Sequence, residues 1–234
     1  MNPEAAAGDV IARLTAPGAP FEMETIEVKG VPCRVFKTYP RTLAQLYRLA
    51  ARHADRVLAV EGDRQTTFRE ALQKSGRLAR GLETHFGVAK GQRIAIVMQN
   101  STEWMLAFMA VTSLGAVAVL VNSRGAPVEL ERAILETECS LVIADDARVR
   151  RLDDTRGAAW RLPRMIFGDD ASLIREGQDR SLVSLLAGWQ ELAALECAAA
   201  EPDEPAIMMF TSGSTGAPKG AVLTQRSVMV GLSG

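Results

Sequence analysis

Three short apolar runs, separated by helical pattern, constrain this chain more than any other feature. Ile94-Ala-Ile-Val-Met98, Ala116-Val-Ala-Val-Leu-Val121 and Ser140-Leu-Val-Ile-Ala144 show no polar alternation. A strand with one wet face alternates, whereas a strand buried on both faces does not. Between the runs, residues 102–113 and 127 to about 137 read as helices. Asn100 or Ser101 can cap the first, Gly115 stops it, and Pro127 suits the first turn of the second. This β-α-β-α-β order predicts an α/β fold: a mostly parallel sheet flanked by helices, with right-handed crossovers.

At about 150 residues per domain, 234 residues hold one or two domains. With 47% hydrophobic and 24% charged residues, wholesale disorder is excluded and a sizeable core is expected. A net charge of −1 argues against nucleic acid or a membrane surface as a partner held by the overall field. Cys33, Cys139 and Cys197 lie far apart, with neither a disulfide framework nor zinc spacing. They read as small buried apolar residues in a reducing, cytoplasmic compartment. No basic flank and apolar run mark a signal peptide at the N-terminus. Trp104 to Val121 is uncharged and approaches membrane-spanning length, but Gly115 splits it into a buried helix and a buried strand.

The remaining pattern is read more coarsely. Residues 1–40 are punctuated by Pro and Gly and form an N-terminal extension, with a helix near 8–15 and one or two strands near 24–36. A helix follows, capped by Thr42, with Leu43, Leu46, Tyr47, Leu49 and Ala50 on one face. Val57 to Phe68 reads as a hairpin turning at Gly62-Asp63. Thr67-Phe-Arg-Glu70 is a capping-box pattern opening a helix that Gly87 ends. Residues 145–163 read as a surface loop, 164–167 as a strand and 182–194 as a helix. Glu201-Pro-Asp-Glu-Pro205 reads as an acidic linker before a buried strand over 207–210.

That last strand runs into Phe210-Thr-Ser-Gly-Ser-Thr-Gly-Ala-Pro-Lys-Gly220. Hydroxyls and glycines crowd around one lysine here, and the fit is to polyphosphate. Glycines let the backbone approach an anion with its N–H groups. Thr211, Ser212, Ser214 and Thr215 offer hydroxyl donors, and Lys219 a compact cation. It is not a Walker A loop, because Lys219 follows Pro218 and leads into Ala-Val-Leu223, a return strand, before Thr224 caps a helix. A ligand-free glycine/serine turn is the alternative, disfavoured by the length of the string and its place after a buried strand.

The segment Phe210–Thr224 resembles the phosphate-binding signature of the AMP-forming adenylating superfamily, which includes acyl-CoA synthetases, luciferases and peptide-synthetase adenylation domains. The resemblance extends to Thr66-Thr-Phe-Arg-Glu-Ala71, to Gly87 through Trp104, and to Leu114-Gly-Ala-Val-Ala-Val-Leu-Val-Asn122. Pro20 to Lys37 is similar to bacterial fatty-acyl-CoA ligases in particular. Residues 41–234 would then be the N-terminal portion of a synthetase domain.

The resemblance implies a two-step ligase. A carboxylic acid attacks ATP to give an acyl-adenylate and pyrophosphate, and CoA then displaces AMP. Thr211, Ser212, Gly213, Ser214, Thr215, Gly216 and Lys219 would hold the phosphates. Lys219 would also serve catalysis, and Thr211 would help bind Mg²⁺. Pro218 and Gly220 would shape the loop. Where many family members have Thr-His, this chain has Thr224-Gln225; Leu120 replaces a proline and Gln92 an aspartate. Family members run far longer, and their adenine, ribose and C-terminal lysine positions fall past Gly234. The expectation is therefore a part that is incomplete for catalysis. Two alternatives stand open: a non-catalytic nucleotide-binding or interaction module, and an aryl- or aminoacyl-adenylating enzyme of the same fold. Trp104, Met105 and Phe108 read as core or homodimer surface, His53 and His85 as helix-surface residues. Arg148, Arg150 and Arg151 read as a solvated loop rather than a CoA-phosphate contact.

Overall fold

A computed structural model describes residues 3–188, 194–211 and 219–232. The chain opens with α1 (Pro3–Thr15), then β1 (Met23–Val28) and β2 (Val31–Phe36) as an antiparallel hairpin. Lys29 and Gly30 join them with φ of 49° and 80°, the left-handed pair that a two-residue hairpin turn needs. Next come α2 (Leu43–Ala50) and a second hairpin, β3 (Val57–Glu61) and β4 (Arg64–Thr67), turning at Gly62-Asp63 as expected. Helix α3 (Phe68–Phe86) starts on a true capping box. Thr67 accepts from the Glu70 amide at 3.2 Å, and Glu70 accepts from the Thr67 amide at 2.8 Å. Gly87 closes the helix in the left-handed conformation.

The α/β unit follows: β5 (Arg93–Val97), α4 (Thr102–Ser113), β6 (Val117–Leu120), α5 (Pro127–Glu136), β7 (Leu141–Asp145), α6 (Asp146–Thr155), β8 (Arg164–Phe167), β9 (Arg180–Ser181), α7 (Leu182–Gly188), β10 (Pro205–Thr211), β11 (Lys219–Thr224) and α8 (Gln225–Gly231). Ser101, rather than Asn100, caps α4 by accepting from the Trp104 amide. Seven strands form one sheet in the order β11-β10-β6-β5-β7-β8-β9, parallel except for the β10–β11 pair. The expected α/β architecture is therefore present.

The apolar runs lack alternation because both sheet faces are covered. Ile94 and Ile96 of β5 pack with Leu78 and Leu82 of α3 and with Ala107 and Val111 of α4. Ala95 and Val97 point the other way, to Leu130 and Ile134 of α5 and Leu152 of α6. Burying each such Leu or Ile contributes roughly 1.5–3 kcal/mol. A third cluster joins Leu43 and Tyr47 of α2 to Leu106 of α4, Ile207 of β10 and Met229 of α8. Trp104 and Phe108 stack at 5.7 Å and pack, partly buried, against the first cluster.

Three expectations are corrected. Residues 146–155 form helix α6 rather than a loop, because Asp145 caps it by accepting from the Arg148 amide at 3.0 Å. Its arginines are engaged: Arg148 and Arg151 donate to the Ser123 carbonyl, and Arg150 pairs with Asp170. Leu49 is turned outward, since the buried stripe of α2 runs through Leu43, Ala44 and Tyr47. Only Cys139 is buried, its thiol pushed up to about 11 by burial; Cys33 and Cys197 are half-buried, and all three are free. The expected helix over 182–194 is seen as α7 to Gly188, and 189–193 lie outside the described residues. No described helix is long and apolar enough to cross a membrane.

Candidate functional site

Strand β10 runs parallel to β6, so it ends on the same carboxyl edge as β5, β6, β7 and β8. In open α/β sheets ligands bind along that edge. There β10 turns back as β11, and the register sets Thr211 opposite Lys219, Phe210 opposite Gly220 and Met208 opposite Val222. Thr211 and Lys219 are thus brought together at the two ends of the hairpin's tip, with Lys219 exposed. Ser212, Gly213, Ser214, Thr215, Gly216 and Pro218 lie outside the described residues. The segment they form is closed at its base by two paired strands rather than by a helix. That geometry separates it from a Walker A loop.

The base of the hairpin is held from several sides. Thr224 caps α8, accepting from the Ser227 amide at 3.2 Å. Gln225 is 2% exposed, and its side-chain oxygen accepts from the Leu43 amide of α2 at 2.9 Å. The acidic stretch 201–205 is not a linker, because Arg226 donates to Asp203 at 2.8 and 3.0 Å and Lys90 pairs with Glu204 at 2.9 Å. Arg226 holds the Asp203 carboxyl below its usual range, and Lys90 does the same for Glu204. Asp203 and Glu204 thus fix the start of β10.

A second feature of the carboxyl edge was not visible in sequence. Connections leave β5 and β7 in opposite directions, the kind of switch point at which such sheets bind ligands. Asp145 links the two strand ends by accepting from the Gln99 amide at 2.9 Å while also capping α6. An Asp before a helical stretch was the available signal, masked by reading 145–163 as a loop.

No group of three or more His, Cys, Asp or Glu among the described residues could hold a metal ion. His53 instead lies against the Phe68 ring at 6.3 Å. The described residues therefore do not form a protein cage for Mg²⁺.

A mostly parallel sheet flanked by helices, with an antiparallel hairpin leaving its carboxyl edge, defines the class of α/β fold. The family model described as AMP-binding enzyme matches residues 46–234, and the chain belongs to that family. Similar proteins include 4-coumarate–CoA ligase 2 of Oryza sativa subsp. japonica, 30% identical over 76% of this chain and 32% of that protein. The long-chain-fatty-acid–CoA ligase FadD13 of Mycobacterium tuberculosis is 33% identical over 62% of this chain and 27% of its own length. Among solved structures, the inhibitor-bound N-terminal domain of FACL13 from Mycobacterium tuberculosis is similar with a TM-score of 0.62 and 30% identity, over 80% of this chain and 45% of that one. The anthranilate CoA ligase AuaEII in complex with anthranoyl-AMP shares the fold, with a TM-score of 0.70 at 22% identity over 80% of this chain and 35% of that one. The chain spans about a third of the curated relatives it matches.

Proposed function

We propose that residues 41–234 are the N-terminal portion of a carboxylic acid–CoA ligase domain, with residues 1–40 an extension, and that its β10–β11 hairpin grips the triphosphate of ATP. The observation that carries this reading is the register that sets Thr211 against Lys219 at the carboxyl edge of the sheet. In the reaction we infer, a substrate carboxylate oxygen attacks the α-phosphorus of ATP. The bond from that phosphorus to the bridging oxygen breaks, and pyrophosphate leaves with the electron pair. The CoA thiol, losing its proton, then attacks the acyl carbon, and AMP leaves. The carboxylate is its own nucleophile, so the part assigned to this chain is electrostatic: backbone amides, hydroxyls and Lys219 opposing charge on the departing pyrophosphate.

For the acid, the fatty-acyl reading is supported by the 33% identity to the mycobacterial long-chain-fatty-acid–CoA ligase. An aryl acid is the second reading, favoured by the longer stretch matched to the 4-coumarate ligase. The test of the hairpin is ATP affinity of this chain, measured by calorimetry with Lys219→Ala beside the unaltered protein. A charge-assisted bond is worth about 1.5–3 kcal/mol, so affinity falls about tenfold or more. Equal affinity in the two proteins refutes the assignment of Lys219.

A further inference from the structure

The N-terminal end of every helix leaves backbone N–H groups without partners inside the helix. In α2 the Thr42 hydroxyl takes the Gln45 amide at 3.3 Å. The Leu43 amide is a separate problem, because Leu43 is 2% exposed. Its partner comes from 182 positions further along the chain: Gln225 Oε1, at 2.9 Å and itself buried. Leaving such a donor unmatched costs about 1–3 kcal/mol. Gln225 is also the first residue of α8 and follows directly on β11. Its own amide donates to the Glu204 carbonyl at 2.9 Å, and the next amide, of Arg226, to the Pro202 carbonyl at 2.7 Å. The Gln225 side chain therefore holds α2, while the backbone amides of Gln225 and Arg226 hold the approach to β10, and all three bonds converge on the exit of β11. The other end of β11 is Lys219.

We propose that Gln225 is a positioning residue for nucleotide binding: its side-chain oxygen locks the β11–α8 junction onto the first turn of α2 and so fixes the direction in which the hairpin presents Lys219. This rests on the phosphate-gripping reading of the hairpin. It assigns Gln225 a role in shaping the site from behind, with its side chain committed to α2 rather than facing a ligand.

The test uses this chain with Gln225→Met, which keeps length and removes the acceptor, and Gln225→Glu, which keeps an acceptor oxygen whether ionised or protonated. Two measurements are made: amide hydrogen exchange without ligand, and ATP affinity by calorimetry. Gln225→Met is expected to speed exchange at Leu43 and through 219–224 while β5 and β7 stay as protected as in the unaltered chain, and to weaken ATP binding about tenfold. Gln225→Glu is expected to lose less affinity than Gln225→Met, since it keeps the acceptor oxygen for the Leu43 amide although the carboxyl is buried. Should Gln225→Met not fold, Gln225→Asn, whose amide stops one methylene short, carries the same expectation. Unchanged exchange over 219–224, a rise spread evenly over the sheet, or equal losses in the Met and Glu variants would each overturn the proposal. If the unaltered chain binds no ATP, the phosphate-gripping reading fails, while the tie itself is still decided by the exchange data.

Discussion

Asp179 shows how much one side chain can hold. It is wholly buried and accepts from the Arg164 amide, from Arg164 Nε and Nη2, and from the Arg175 amide and guanidinium. Burial pushes its carboxyl up, but the bonds from Arg175 and Arg164 outweigh that and hold it below the usual carboxylate range. Arg164, 1% exposed, depends on this partner and on Asp153. Asp179→Ala strands a buried guanidinium and is expected to cost about 3–5 kcal/mol, read as a lower urea midpoint at pH 7. The pH dependence has a definite sign. A depressed folded value means the contribution is complete above the unfolded carboxylate value of about 3.9 and is lost as pH falls from there through the folded value. The gap between the two proteins therefore narrows in acid. None of this was legible in sequence: Arg164 and Asp179 are 15 residues apart in a stretch with no periodicity, and only the packing of β8 against its following loop joins them.

At the scale of elements, local rules decided most of the outcome. The Thr67–Glu70 box, the Gly87 stop, the Ser101 cap and the Gly62-Asp63 turn all stand where residue chemistry puts them, because each bond closes within a few positions. Thr67→Ala removes one half of the box and is expected to lower stability by about 1 kcal/mol, with Thr67→Ser close to unaltered, by thermal melts followed at 222 nm. The failure was α6. Its Asp- and Arg-rich sequence carries little apolar signal, but Val149 and Leu152 are buried against α5, and that tertiary contact, with the Asp145 cap, makes a helix of it. The hairpin that carries the candidate site was legible as strand, loop and return strand, since the apolar runs on either side of the hydroxyl cluster can pair with each other.

For the whole molecule, the sheet ends on β11, with no further strand beside it among the described residues. Met208, Phe210 and Val222 floor a cleft of about 430 Å³ beside the C-terminal end of α5, and Val222 is 53% exposed. Met208 and Phe210 are only partly buried against the cluster that includes Leu130 and Ile134 of α5, and the edge strand beside them exposes Val222, a template for self-association. Val222→Lys is expected to reduce scattering by concentrated samples at unchanged melting temperature, as a charge on an exposed edge blocks pairing. Equal scattering would show that this edge is not the route of association.

Sequence by itself determined the repeating strand–helix units, their caps and stops, and the phosphate-type string at the end of β10. These depend on near neighbours and on whether a strand has one or two dry faces. Tertiary structure decided the order of strands in the sheet, the bond by which Asp145 links the ends of β5 and β7, the Arg164–Asp179 pairing and the use of Gln225 as an acceptor for α2. Each of those joins groups distant along the chain, and a buried donor takes whichever acceptor the fold delivers rather than one its own segment encodes.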